Sequence, residues 1–147
     1  QLKAHEQQIE ILKEAIENDP GDHRALVRLA SMYAEVNMCD RAMGYFMRAL
    51  ALVPGDAHAR HKYAVCLYQL DQIDDALAEF RKALTDNPKH LESWLYVGLV
   101  SLRDKGDIDA ASEAVAELER LNPHYEGLPM LKTAIENART AGISPSS

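Results

Sequence analysis

Residues 42–54, AMGYFMRALALVP, are answered by residues 76–88, ALAEFRKALTDNP, and again by residues 111–123, ASEAVAELERLNP. Each stretch begins with alanine (Ala42, Ala76, Ala111). An aromatic or branched apolar residue follows (Phe46, Phe80, Val115), then a small or apolar one (Ala49, Ala83, Leu118), and proline closes it. With Pro20 in front, the prolines Pro20, Pro54, Pro88 and Pro123 stand 34, 34 and 35 residues apart. Self-similarity at such a period marks a chain assembled from stacked supersecondary units.

Within 42–54, Ala42, Met43, Tyr45, Phe46, Ala49, Leu50 and Val53 form a broad apolar stripe, ended by Pro54-Gly55-Asp56. Proline cannot continue a helix and pushes the preceding residue out of helical geometry. Upstream, Leu26, Leu29, Ala30 and Tyr33 recur at i, i+3, i+4 and i+7, which predicts a helix over 24–36. A polar break at Asn37 to Asp40 separates the two, so residues 23–56 read as a helical hairpin. Residues 57–90 repeat the plan with Tyr63, Ala64 and Leu67, then Ala76, Leu77, Phe80, Ala83 and Leu84. Residues 91–125 repeat it once more from Trp94, Val97 and Gly98, with one extra residue in the turn Asp104-Lys105-Gly106-Asp107.

The ends keep the phase. Leu12, Ala15, Ile16 and Pro20 make residues 1–22 the second helix of a partial repeat, expected to expose Ile9, Leu12 and Ile16 where a first helix would lie. Leu131, Ala134, Ile135 and Ala138 predict a capping helix over 126–141, and residues 142–147 are expected to be a flexible tail.

Composition excludes several classes. With 47% hydrophobic and 27% charged residues the chain is ordinary globular material, and its longest apolar stretch, Trp94 to Val100, is too short to cross a bilayer. A net charge of −7 argues against a nucleic-acid surface. The charge is uneven: −4 over residues 1–22, +1 over 23–56, 0 over 57–90, −4 over 91–125 and 0 beyond. Cys39 and Cys66 lie in no zinc or redox spacing, and are expected to be free thiols packed as small residues, a bridge being the alternative. Free cysteines lean toward a reducing cytoplasm. Because the chain opens on Gln1 rather than Met, it reads as a trimmed piece whose anchor or export signal, if any, would lie upstream.

The pattern resembles the tetratricopeptide repeat, whose units carry a large apolar residue, Leu, Gly or Ala, then Tyr on the first helix, and Ala, an aromatic, Ala and Pro on the second. The matches are Leu26, Leu29, Ala30, Tyr33, Ala42, Phe46, Ala49 and Pro54; then Ala64, Ala76, Phe80, Ala83 and Pro88; then Trp94, Val97, Gly98, Ala111 and Pro123. Arg60 stands where a large apolar residue is expected, and Leu118 where alanine is. The resemblance implies an all-α, right-handed superhelical solenoid of antiparallel helix hairpins, seven to eight helices in all, with a concave groove lined by the first helices.

The resemblance also assigns the groove positions. The first unit offers Arg24, Val27, Arg28, Ser31, Ala34 and Glu35, and the second His58, His61, Lys62, Val65, Tyr68 and Gln69. The third offers Glu92, Leu95, Tyr96, Leu99, Leu102 and Arg103. Helical phase turns these positions to solvent. The first two sets are basic and the third apolar, which suggests a peptide whose apolar side chains rest on Leu95, Tyr96 and Leu99 and whose acidic end lies near Arg28, His58 and Lys62. An apolar helix face of this kind is covered by something, either the C-terminal cap or a partner. The family's two-carboxylate clamp for heat-shock chaperone tails is disfavoured, since Val27, Ser31, Lys62, Glu92 and Tyr96 occupy its positions.

Function follows from class. The expected role is a non-catalytic protein-protein interaction scaffold, with no cofactor and no metal. His58 and His61, at i and i+3, lack a third ligand in the sequence and are expected instead to make groove charge pH-dependent. The alternatives are a self-associating dimer or stacked oligomer using the N-terminal helix or the apolar groove, and a bacterial assembly or biogenesis helper anchored to a membrane upstream. No nucleophile is placed beside a recognisable base, so an enzyme is not expected.

Overall fold

The computed structural model describes residues 2–143, and over them the chain is all helical. The helices are α1 (Leu2–Asn18), α2 (His23–Glu35), α3 (Cys39–Leu52), α4 (Ala57–Gln69), α5 (Ile73–Asp86), α6 (Leu91–Lys105), α7 (Ile108–Leu121) and α8 (Leu128–Ile143). None is long and apolar enough to cross a membrane. Residues 142 and 143, expected in the tail, continue α8; the rest of that tail lies outside the described residues.

Periodic caps set the helix ends. Asp22, Asp56 and His90, 34 residues apart, are the N-caps of α2, α4 and α6, accepting from the backbone N–H of Ala25, Ala59 and Ser93. At the other end of these helices Asn37, Asp71 and Gly106 adopt left-handed φ of 62°, 64° and 63°. Asn and Asp tolerate that region best among residues with a side chain, and glycine enters it freely. The N–H groups of Met38 and Gln72 then reach back five residues, to the carbonyls of Tyr33 and Leu67 at 2.8 and 2.9 Å. After α6 the corresponding bond, from Asp107 N–H to Ser101 O, spans one residue more at 2.9 Å. The inserted residue is absorbed in this region, where α6 runs 15 residues against 13 in α2 and in α4.

The chain forms two compact units, residues up to Glu79 and residues from Phe80, the division falling within α5. In the first, Leu12 and Ile16 of α1 join Leu26, Leu29, Ala30 and Tyr33 of α2, Ala42, Phe46 and Ala49 of α3, and Cys66 of α4 in one core. Aromatic rings fill the remaining gaps, Tyr33 stacking on Tyr45 at 5.8 Å and Phe46 meeting Tyr63 at 6.4 Å. Arg60 is accommodated by an ion pair: Nη1 donates to Glu79 Oε1 at 2.7 Å and Nη2 to Pro54 O at 2.9 Å. In the second unit Leu102, Ala111, Ala114, Leu118, Leu128, Leu131 and Ile135 make the core. α8 comes so close to α6 that a Cβ on Gly98 would lie 2.7 Å from Leu131 Cδ2.

Two expectations fail here. Leu12 and Ile16 are buried and Ile9 is half-buried, because α1 turns that face onto α2; among the described residues of α1 the exposed large apolar side chain is Ile11. Cys39 and Cys66 are not free thiols but a disulfide, joining the first residue of α3 to the middle of α4 with Cα atoms 5.2 Å apart. Both are buried as expected, and it is this packing of α4 against α3 that brings them together. The argument for a reducing cytoplasm goes with the free thiols.

Candidate functional site

In the first unit α2 buries Leu26, Leu29, Ala30 and Tyr33, so the opposite stripe, Arg24, Val27, Arg28 and Ser31, faces outward. A cleft of about 540 Å³ opens along it, lined by His23, Arg24, Val27, Arg28, Ser31, Met32 and Glu35, with Asp56 and Lys62 from the α4 side. Arg24 and Arg28, one helical turn apart, are exposed and make no ion pair among the described residues. Lys62 Nζ donates to Ser31 Oγ at 3.2 Å, and its charge remains unneutralised by that bond. Glu35 lies 3.9 Å from His5 Nε2 on α1. Three cations therefore surround an apolar floor of Val27 and Met32.

His23 and Asp56 close one end of the cleft. Asp56 Oδ1 accepts from Ala59 N–H at 3.1 Å, while Oδ2 meets His23 Nε2 at 2.7 Å. His23 Nδ1 lies 3.2 Å from the carbonyl oxygen of Ala49. Burial alone would raise the Asp56 carboxyl, but the Ala59 N–H, the His23 ring and, through space, His58 outweigh it and hold Asp56 below the ordinary carboxylate range. No sequence motif singled out His23. Its signal was the pairing of the first residue of one 34-residue unit with the last, a contact that only packing creates.

The expected groove residues separate into distinct sets. Arg24, Val27, Arg28, Ser31 and Lys62 share the cleft just described. His58 is exposed, while Val65 and Tyr68 are half-buried on α4, and none of the three lines it. His61 faces inward, 4% exposed, so the two histidines do not share an open face although their rings stack at 6.4 Å. The pH dependence expected of that pair loses its geometric basis.

In the second unit the apolar face of α6 is taken. Leu102 is a core residue, and Leu95 and Leu99 pack against the cluster built from α7 and α8. A Cβ on Gly127 would stand 2.8 Å from Leu95 Cδ2, so the segment leading into α8 presses directly on that leucine. The cap covers part of the face that was expected to seat an apolar peptide; Leu95, Tyr96 and Leu99 stay half-buried, and Leu95 also lines an open cleft with Asn122, His124 and Tyr125. Tyr96 stacks on Phe80 at 5.2 Å. Trp94 is half-buried, its Nε1–H donating to Pro88 O at 2.8 Å. The surroundings are acidic: burial first, then Glu92, Tyr96 and Glu126, raise the Tyr125 hydroxyl above its usual range.

Ser31 beside Lys62 is the one approach to a nucleophile-base pair in this cleft. Ser31 sits inside α2, where neighbouring backbone N–H groups are committed to the helix and cannot receive a developing oxyanion. The cleft can hold charge and exclude little water. It is suited to binding.

Comparison with known proteins bears on the fold. Residues 37–97 match the tetratricopeptide repeat family profile. The general transcriptional corepressor trfA of Dictyostelium discoideum is 24% identical over 114 residues, 76% of this chain, which spans 8% of that relative's length. Among solved structures, MamA aligns over 90% of this chain and 81% of its own with TM-score 0.76 at 19% identity. YrrB, described as a repeat protein of this family with an unusual peptide-binding site, aligns over 89% and 67% with TM-score 0.79 at 18% identity. A protein from Parabacteroides merdae aligns over 90% and 53% with TM-score 0.83 at 18% identity. In its matched segment, its 34-residue phase and its helical-repeat fold, the chain is similar to proteins of the tetratricopeptide repeat family.

Proposed function

We propose that this chain is a non-catalytic protein interaction module that holds an acidic segment of a partner protein in the cleft between α2 and α4. The observation that carries the reading is the concentration of Arg24, Arg28 and Lys62 on an outward-facing cleft, in a protein whose net charge is −7. Guanidinium groups left without carboxylate partners inside the fold are available to carboxylates from outside it. Val27 and Met32 between them give the stem of an acidic side chain an apolar surface to lie on. The family and the fold shared with YrrB support a protein or peptide as the ligand.

The apolar half of the expected ligand is dropped from this reading, because Leu102 is buried and Leu95 and Leu99, half-buried, already pack against the α7–α8 core. The test is binding of an acetylated, amidated hexaglutamate, followed by fluorescence polarisation. Arg24→Glu with Arg28→Glu is expected to weaken it by at least about tenfold, with helical circular dichroism unchanged. Equal affinity of the wild type for hexalysine, or no loss in the double variant, would remove the cleft as the site.

A further inference from the structure

The bond pattern around His23 fixes more than a contact. Nε2 faces a carboxylate oxygen of Asp56 at 2.7 Å, and Nδ1 faces the carbonyl oxygen of Ala49 at 3.2 Å. Both partners only accept; neither carries a proton to give. A neutral imidazole has a single N–H and satisfies one of them, leaving the other ring nitrogen lone pair against an oxygen lone pair. The imidazolium satisfies both. This arrangement is therefore complete in the charged form of the ring and broken on one side in the neutral form.

We infer that acidic-segment binding in the α2–α4 cleft is linked to a proton held by His23, which screens the Asp56 carboxylate when charged and exposes it when neutral. The inference rests on the acidic-segment reading above. Asp56 lines the same cleft as Arg24, Arg28 and Lys62, so its charge acts directly on whatever binds there. With His23 protonated, the pair is neutral and the cleft presents three cations. With His23 neutral, the Asp56 charge is no longer balanced by the ring and opposes an acidic ligand.

The neighbouring charges define how the device works. Arg24 and Arg28 continue α2 from His23, Asp22 caps that helix, and Glu35 lies along the cleft. From the α4 side come Lys62, Asp56 itself and His58, which also helps hold Asp56 ionised. α3 contributes the Ala49 carbonyl at its C-terminal end, where the helix dipole is negative and favours a cation. Histidine is the side chain whose ordinary titration lies nearest neutrality, which makes pH the variable to test.

Hexaglutamate keeps its charge above about pH 5.5, which makes it a clean probe. Its affinity is expected to rise about threefold as pH is lowered from about 8 to 5.5, the effect of one unit charge at about 6 Å in water-like surroundings. His23→Gln and Asp56→Asn are each expected to flatten this slope; Asn keeps the cap acceptor for Ala59 N–H. Nitrogen-15 NMR of the ring adds an independent readout, expected to show both His23 ring N–H protons at the acidic end, slowed in exchange by their bonds to Asp56 and Ala49 and exchanging faster in Asp56→Asn. A wild-type slope that survives in His23→Gln, or ring N–H protons that exchange equally fast with and without the Asp56 carboxylate, overturns the linkage. If the NMR signature is present but hexaglutamate binds at neither pH, the acidic-segment reading is what has failed, and the binding linkage falls with it.

Discussion

α2 and α6 open their units at the same phase of the repeat, yet their outward stripes meet opposite fates. α2 places Arg24, Val27, Arg28 and Ser31 there, and the stripe remains the wall of an open cleft. α6 places Leu95, Leu99 and Leu102 there, and α8 with the segment before it folds over them. The difference lies in the chemistry of equivalent positions. Where α6 carries Leu95, Leu99 and Leu102, α2 carries Val27, Ser31 and Ala34; the leucines gain more by burial, so the next helix packs on them, while Arg24 and Arg28 beside the smaller residues of α2 stay in water. A groove position in a repeat is thus available to a ligand only if the chain's own next element has no use for it.

The largest effect should come from breaking α8 off α6. Leu131 is fully buried against Gly98, and Leu131→Asp places a carboxylate where no partner exists. The expected cost is more than about 4 kcal/mol. Trp94, the sole tryptophan, lies in the second unit and reports on it directly in a urea titration followed by fluorescence. A Trp94 transition shifted by less than about 1 kcal/mol would mean that α8 is not part of the core, and would return Leu95 and Leu99 to the list of ligand contacts.

The first unit has a different staple. The Cys39–Cys66 bond closes a loop with a sequence separation of 27 residues. Chain entropy puts its contribution at about 3.5 kcal/mol. Cys39→Ala with Cys66→Ala is expected to lower the circular dichroism transition by about that much, and to move the Trp94 transition less. Equal shifts in both would erase the distinction between the units as cooperative entities. No shift in either would mean the bridge adds nothing beyond the packing of two small side chains.

What was readable in the sequence divides along the same physical line. The proline ladder and the apolar stripes announce the helices because they are local: a proline stops its own helix, and Leu26, Leu29, Ala30 and Tyr33 share a face whatever packs on it. The left-handed ladder of Asn37, Asp71 and Gly106 was equally local and equally periodic, but three different residue types conceal it. The misreadings concern contacts between helices. Positions transferred from the family put His61 and Leu102 in the groove, whereas the packing around each helix turns both inward. Cys39 and Cys66 show no motif, since nothing local relates the start of one helix to the middle of the next. Arg24, Arg28 and Lys62 were legible as a basic set; the bracket formed by His23, Asp56 and Ala49 was not, because one of its three parts is a backbone carbonyl that no sequence pattern displays.

The smallest effect tests that bracket from its acidic side. The folded Asp56 carboxyl is held below its ordinary value of 3.8. A carboxyl depressed by folding adds stability that is fully present above the unfolded value and is lost as pH falls through the folded one. The first unit should therefore weaken below about pH 4, by no more than the roughly 1 kcal/mol that a helix cap contributes. Melts of wild type and Asp56→Asn at about pH 5 and pH 3 isolate the term, since every other carboxylate is common to both chains and cancels in the difference. Wild type should lose more on acidification than the variant. If the two lose the same amount, Asp56 is not an ionised acceptor for His23 in the folded chain. The cleft on α2 would then lack the carboxylate that sets it apart from an ordinary basic surface, and the contrast with the covered face of α6 would rest on Arg24, Arg28 and Lys62 alone.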